Sequence, residues 1–387
     1  MVKLLYAGFD GLDISFQGAL PRETLDLLDT AKKQAAELRD PQLRAIGPGK
    51  VKAHVQSHGM KGGYAFVLDT GPLGEIWFFM DNSDPRNWNV SVSVRAAALA
   101  TNGYHATKRH LLERLAAMGC RIAQESIRRV DFAMDFLMPE SFELKLDQVV
   151  AHSHAKLAPY WSDKANPEGS SELTTNKPSA VLRGRKLETV TVGKMPGRQV
   201  TIYNKRKAAI EQRKLFWFKI WDIPQSDPTA NIWRVELRAG KAELKKRWQL
   251  STFADFEASI GDVYTLAAEK VRYLDDFQTD GNISRQRQHP LWDAVQETLQ
   301  QELLEFRAGL LPDQVKAVNR EQLIETYFQQ IVGNAASLSV ALGLEEEEIR
   351  EHFCQQIAQT LSNKINDPDA TFWESRGRAE QRLCFQD

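Results

Sequence analysis

Cysteine is scarce: Cys120, Cys354 and Cys384 are three, odd in number, far apart and free of any C-x-x-C spacing. That excludes a disulfide framework and a thiolate zinc site, and fits a reduced interior. No apolar run reaches the roughly 18 residues of a membrane-spanning helix. The opening "MVKLLYAGFDGLD" meets a glycine and two aspartates too early for a secretory leader. Together these absences give the expectation of a cytoplasmic protein with no membrane association. Net charge is also lacking, at −1 over 387 residues, so bulk charge says nothing about partners. "GPGKV" (47–51) falls short of the phosphate-cradling P-loop pattern, so the chain is expected to have no helicase of its own. No cofactor fingerprint appears, which argues against a metabolic enzyme, and no repeat is evident.

What the chain does have is an uneven charge distribution. From Arg183 to Trp248 there are 17 Lys or Arg against 6 Asp or Glu; from Ala341 to Asp387 there are 5 basic against 10 acidic residues. A basic middle segment in a neutral chain points to a polyanion contact.

Hydrophobic alternation predicts strands at 13–20, 63–71, 74–82, 88–96, 127–136, 189–193, 199–204 and 231–238, with 63–82 a hairpin around "DTGPLGE". Helical spacing predicts helices over 26–40, 105–119, 141–157, from Lys205 onward, and over "GKAELKKRW". Residues 162–179 read as a loop. Beyond about Ser251 helical spacing takes over to about Asn363, with a break near 279–290. The expected fold is α+β: a domain over 1–250, then a helical domain over 251–387.

Side chains alternate across a strand, and three segments sort into faces. Val130, Phe132, Met134 and Phe136 oppose Asp131, Ala133 and Asp135. Trp233, Val235 and Leu237 oppose Arg234, Glu236 and Arg238. Val200 and Ile202 oppose Thr201, Tyr203 and Lys205. If these segments pair in one antiparallel sheet, its second face gathers carboxylates, cations and a phenol. That set suits phosphodiester transesterification: a tyrosine nucleophile, cations to favour its charged form, and oxygen ligands for Mg²⁺ or Mn²⁺. Asp131 and Glu236 are the natural ligands. Asp135 lies roughly 13 Å along the strand from Asp131, too far to share one ion. The bland alternative is that Asp131 is solvated or paired with Arg129 or Arg234, and that Tyr203 packs at a strand end.

"RRVDFAMDF", "TVTVGKMPGRQVTIYNKRKAAIE" and "IWRVELRAGKAEL", in this order, resemble three signature blocks of the Rep_trans replication initiation factors, which include rolling-circle initiators of plasmids and filamentous phages and related relaxases. "ATKRHLLERLAAMGC" fits the helix before the first block, and the resemblance covers roughly residues 60–250. It implies a fold related to the HUH nickases, an antiparallel sheet with helices on one face. It further implies nicking of one DNA strand at an origin, linkage of the 5′ phosphate to tyrosine, and a 3′ hydroxyl left for a polymerase. Matched position by position, Tyr203 is the nucleophile, and Asp131 and Glu236 are the acidic metal ligands. Lys205 is the expected catalytic phosphate contact, with Arg198, Arg206, Lys207, Arg234 and Arg238 as DNA contacts. The segment "TVTVGKM" departs from the family's usual Tyr-Ile-Gly-Ser-Arg. The implied partners are origin DNA, single-stranded or extruded from supercoiled duplex, with a host helicase and polymerase. A conjugative relaxase and a non-catalytic DNA-binding regulator are the alternatives.

Three further motifs fall outside these blocks. "AHSHAKL" (151–157) has the His-x-His spacing of a metal pair, but on a helix residues two apart do not face each other. His54 and His58 offer a third metal ligand only if their segment approaches the carboxylates. "ASLSVALGLEEEEIREHF" (336–353) has the outline of a helix-turn-helix with Gly343 in the turn. Four glutamates at the start of its second helix would repel phosphates, so it reads as a protein contact, with a homodimer among the expected partners.

Overall fold

The protein is described by a computed structural model covering residues 1–151, 179–183, 186–275, 285–367 and 371–385. The chain begins with a long strand, β1 (Lys3–Ala19), then α1 (Arg22–Leu38), β2 (Gln42–Ile46), β3 (Val51–Val55), β4 (Tyr64–Asp69), β5 (Glu75–Met80) and β6 (Val90–Val94). Helix α2 (Ala96–Ala117) leads into β7 (Arg121–Met138) and short β8 (Val149–Ala151). Next come β9 (Ser179–Arg183), β10 (Lys186–Gly193), β11 (Arg198–Asn204), α3 (Lys205–Glu211), α4 (Phe216–Trp221) and β12 (Asn231–Gly240). A π-helical turn, Ala242–Arg247, precedes α5 (Phe253–Lys270), β13 (Val271–Tyr273), α6 (Pro290–Leu299) and α7 (Pro312–Ala341). The remaining helices are α8 (Glu346–Glu348), α9 (Cys354–Asn366) and α10 (Phe372–Leu383).

Eleven strands form one sheet in the order β2-β3-β4-β5-β6-β1-β7-β12-β11-β10-β9, with every pairing antiparallel. The three segments whose alternation defines a polar face are therefore neighbours: β7 pairs with β12 and β12 with β11. Their apolar sides enter one core. Phe132, Met134, Val235 and Ile202 are buried there with Leu25 and Leu28 of α1, Leu111 and Leu115 of α2, and Phe256 and Tyr264 of α5. Each such large apolar side chain contributes about 2 kcal/mol on burial. Trp292 and Val295 of α6 and the segment to Leu303 join the same core, so the helical part beginning after residue 250 is continuous with the sheet. Much of the later helical region is exposed, including Phe328, Ile331 and Val332 of α7.

The second face is not bare. Phe216, Trp217, Phe218 and Trp221 of α4 form a smaller core with Tyr6 of β1, Ile232 of β12, Ala97 and Ala100 at the start of α2, and Val315 of α7. Helix α2 can serve both cores because Gly103, at φ 73°, breaks its backbone regularity. Helices thus stand on both faces of the sheet, over one end of the second.

Of the helix expected over 141–157, the described residues 141–151 form none. Residues up to 148 are irregular and Val149–Ala151 is a strand paired with β13. Phe142 packs edge-on to Trp233 and Tyr273, and Leu144 and Val149 are buried, so tertiary packing claims side chains that a helix would have carried along one stripe. His152 and His154 lie outside the described residues, as does most of the loop expected over 162–179. Strands β2 and β3 arise where no element was expected, with "GPGKV" between and into them. The hairpin β4–β5 forms as read, and Gly343 sits in a turn at φ 66°.

Candidate active site

Two strands were under-read in the sequence, and both shape the site. β1 and β7 pair along nearly their whole length, with irregularities where one strand carries an extra residue. Asp10 is such a residue, between pairs Phe9–Phe132 and Gly11–Asp131. It faces the same side as Asp131 and Asp135, because Arg234 Nη1 reaches Asp10 Oδ1 at 2.6 Å. A Cβ on Gly11 would lie 2.9 Å from Asp131 Oδ2, so the missing side chain makes room for that carboxylate.

The polar face divides into a dry end and an open end. At the dry end Arg234 is wholly buried and forks onto Asp135, at 2.5 Å from Nε and 2.8 Å from Nη2. Trp221 Nε1 donates to the same carboxylate at 2.8 Å, and the Trp217 ring lies 4.3 Å from the guanidinium carbon. Lys205 is buried against the same indole, its Nζ 4.5 Å from the Trp217 ring centre and 5.8 Å from that of Tyr203. Burial, and then the charge of Arg234, push the Lys205 ammonium down to about 8. Burial opposes ionisation of Asp10, but Arg234 and Lys205 outweigh it and hold that carboxyl down at about 2.

At the open end Asp131 and Glu236 are both buried at 2% exposure, on a cleft of about 610 Å³ that is also lined by Asp10, Asp13, Arg129 and Arg238. Arg129 forks onto Asp131. Arg238 Nε lies 2.8 Å from Glu236 Oε1 and 3.8 Å from Asp131 Oδ2, between the two acids. Burial, with a contribution from Glu236, pushes the Asp131 carboxyl up to about 6. Tyr203 is directly opposite Arg234 and two pairs along the ladder from Glu236, which faces Thr201. Its phenol is pushed well above the ordinary tyrosine value, chiefly by burial, with Glu236, Asp10 and Asp135 adding to the effect. The neighbouring cations therefore do not make it a phenolate in this arrangement, contrary to the expectation from Lys205 and Arg206 alone.

The expected nucleic-acid contacts each have a partner inside the protein. Arg198 lies 3.6 Å from Glu243 and Arg206 holds the carbonyls of Gln225 and Asp227. Lys207 pairs with Glu188, Arg234 is enclosed, and Arg238 also donates to Gln199 Oε1 at 3.2 Å. Of these, Arg238 alone lines the cleft. The basic cluster after Tyr203 is thus spent on the packing of α3, α4 and their loops.

Among the described residues no three His, Cys, Asp or Glu side chains come together as a metal cage. His54 is elsewhere, packed edge-on to Phe385 and 2.8 Å from the Gln381 carbonyl. Mg²⁺ is commonly held by one or two carboxylates, water and substrate phosphate oxygens, and Asp131 with Glu236 meets that number. At the open end the two acids already share a cation, the Arg238 guanidinium seated between them. The residues fit a hard ion completed by water and phosphate, and do not fit an all-protein site.

The sequence reading missed Asp10, Asp13 and Trp217. The signal for the first two was "FDGLD" itself, an acid at the strand bulge and another three residues on, in a stretch that Gly and Asp make look like a turn.

No family model matches the sequence, and no curated protein matches it. Among solved structures, a rolling circle replication initiator protein from Geobacillus stearothermophilus is similar over 78% of this chain and 97% of that chain, at 13% identity and a TM-score of 0.41. A likeness of that size carries no argument about this chain.

Proposed function

We propose that the protein is a rolling-circle replication initiator that nicks one strand of origin DNA through a 5′-phosphotyrosyl link to Tyr203. The observation that carries this reading is the gathering of a tyrosine, two buried carboxylates and two arginines on one face of three adjacent strands. In the step itself Tyr203 Oη attacks phosphorus, the bond from phosphorus to the 3′ oxygen breaks, and a tyrosyl phosphodiester forms. The phenol gives up its proton and the departing 3′ oxygen takes one. Lys205, pushed down to about 8, is the group suited to hold and return that proton near neutral pH. Phosphate oxygens entering the cleft would compete for the guanidiniums of Arg129 and Arg238, loosening their hold on Asp131 and Glu236. Those two carboxylates would hold Mg²⁺ or Mn²⁺, whose chemistry is charge neutralisation on the transferring phosphate. A host helicase, a host polymerase and a cytoplasmic setting belong to the same reading. A conjugative relaxase would use identical chemistry at a different DNA site.

A non-catalytic DNA-binding regulator is the second reading, favoured by the protonated phenol and by the seat of Arg238 between the acids. The deciding experiment incubates the protein with Mn²⁺ and supercoiled DNA carrying its own gene and flanks, then runs denaturing gels. A covalent protein–DNA adduct that disappears in Tyr203→Phe is expected. An adduct that persists in the variant overturns Tyr203 as nucleophile, and tight binding of that DNA without any adduct supports the regulator.

A further inference from the structure

One cation on the open face has no part in the site described above. Between the pairs Asp13–Arg129 and Ile14–Ile127, β7 carries Arg128 as an extra residue against β1. A bulge of this kind re-aims side chains, and here it brings two successive arginines to the same side. Arg129 forks onto Asp131, while Arg128 Nη2 donates to Ser91 Oγ on β6. Ser91 belongs to the open face because its neighbours Val90 and Val92 are buried in the core of the other face.

To reach Ser91 the Arg128 side chain crosses β1 at Ser15, which pairs with Ser91 on one side and with Ser126 on the other. Three serines thus form a strip across β6, β1 and β7. The three serines are buried beneath the Arg128 side chain that spans them, and their small size lets it lie flat with Ser91 Oγ as its acceptor. The other arginines of this face are compensated by acids: Arg129 by Asp131, Arg234 by Asp135 and Asp10, and Arg238 by Glu236. Arg128 makes no ion pair among the described residues, and its Nε is buried without an acceptor. Asp13, the nearest acid in the pairing, is taken by Ser93 Oγ at 2.6 Å. A half-buried guanidinium with an unused donor, over a floor of hydroxyls, wants an anion.

We infer that Arg128, aimed by the serine strip beneath it, binds a backbone phosphate of the DNA strand beside the one that is cut. The site lies three residues along β7 from Asp131, roughly 10 Å at strand spacing. The ligand class is a phosphodiester oxygen pair rather than a base edge, so the contact sets register and carries no sequence preference. This inference rests on the nickase reading of the neighbouring site.

The test is fluorescence anisotropy with a labelled oligothymidylate of about 20 nucleotides, titrated over a series of salt concentrations. Wild type, Arg128→Gln, Arg128→Lys and Ser91→Ala are compared, with melting temperatures as the check on folding. Arg128→Gln is expected to lose roughly five- to tenfold in affinity, and its plot of log K against log salt is expected to flatten by about 0.7, one single-strand phosphate. Arg128→Lys should restore the slope, and Ser91→Ala, which removes only the aiming hydroxyl, should weaken binding in the same direction by a smaller factor. Wild-type binding with an unchanged slope and affinity in Arg128→Gln overturns the phosphate site and leaves the nickase reading standing. Failure of the wild type to bind single-stranded DNA overturns both.

Discussion

Tyr203 and Arg234 stand directly opposite each other on β11 and β12. The guanidinium counters part of the burial that holds the phenol proton in place, and it also neutralises Asp10 and Asp135. Replacing it leaves two buried carboxylates without their main partner, a loss typically worth about 3–5 kcal/mol. Arg234→Met is expected to be destabilised by that order in urea denaturation. A loss below about 1 kcal/mol would mean that water reaches both acids, and that the dry end is not dry.

Lys205 gives a pH dependence of definite sign. Its folded value, about 8, is depressed below the unfolded value of 10.5. A lysine shifted this way opposes folding wherever its charged form must be carried into the core. Its burden on stability is full below pH 8 and disappears as the pH rises from 8 toward 10.5. At pH 7 the burden is about 3 kcal/mol. Lys205→Met should therefore be more stable than wild type at pH 7, with the two denaturation curves converging by about pH 10. Equal stabilities at pH 7 would refute the depressed value.

Arg238 fills the space between Asp131 and Glu236. Removing its charge with Arg238→Gln is expected to tighten Mn²⁺ binding by about tenfold, the equivalent of about 1.4 kcal/mol, in titrations followed by electron paramagnetic resonance. Asp131→Asn in the same background should reverse the gain. If Mn²⁺ affinity does not respond to either change, the ion is held elsewhere.

Gly11 is needed for what it lacks. A methyl group there would meet the Asp131 carboxylate at 2.9 Å, and Arg129 already fixes that carboxylate in place. Gly11→Ala should cost about 1–2 kcal/mol of stability as an overpacked site, and should slow adduct formation by more than Arg198→Gln does. Equal slowing by the two variants would show that the position of Asp131 is not critical.

The sequence made the faces of β7, β11 and β12 legible because each buries one side only, so apolar and polar residues alternate cleanly. β1 was partly hidden for the opposite reason. Tyr6 is buried against α4 while Ala7 and Phe9 enter the main core, so its first half reads as a continuous apolar run, and Gly8, Gly11 and Asp10 suggest a turn. Of the candidate site, the shared side of Tyr203, Asp131 and Glu236 could be read from period 2 alone. Their partners could not: Asp135 meets Arg234 across 99 residues of chain, a pairing set by strand register rather than by local pattern. The same limit hid the fate of Lys205-Arg206-Lys207. Three cations in a row look solvent-facing until Trp217, the Gln225–Asp227 carbonyls and Glu188 claim them one by one.

The extra residues in β1 and β7 separate the in–out phase of a strand from the charge it displays. Removing one residue from a regular stretch of β7 would swap every side chain beyond it between oil and water. Asp10 and Arg128 are two of the four places in this pairing where that rule is suspended: each sits unmatched beside a residue, Gly11 or Arg129, that already faces the cleft. Either could be deleted, and the strand would close into plain alternation with Phe9, Leu12, Ile127 and Val130 still pointing inward. The electrostatics of this sheet can therefore be edited one charge at a time, by insertion or deletion, while its core stays in frame.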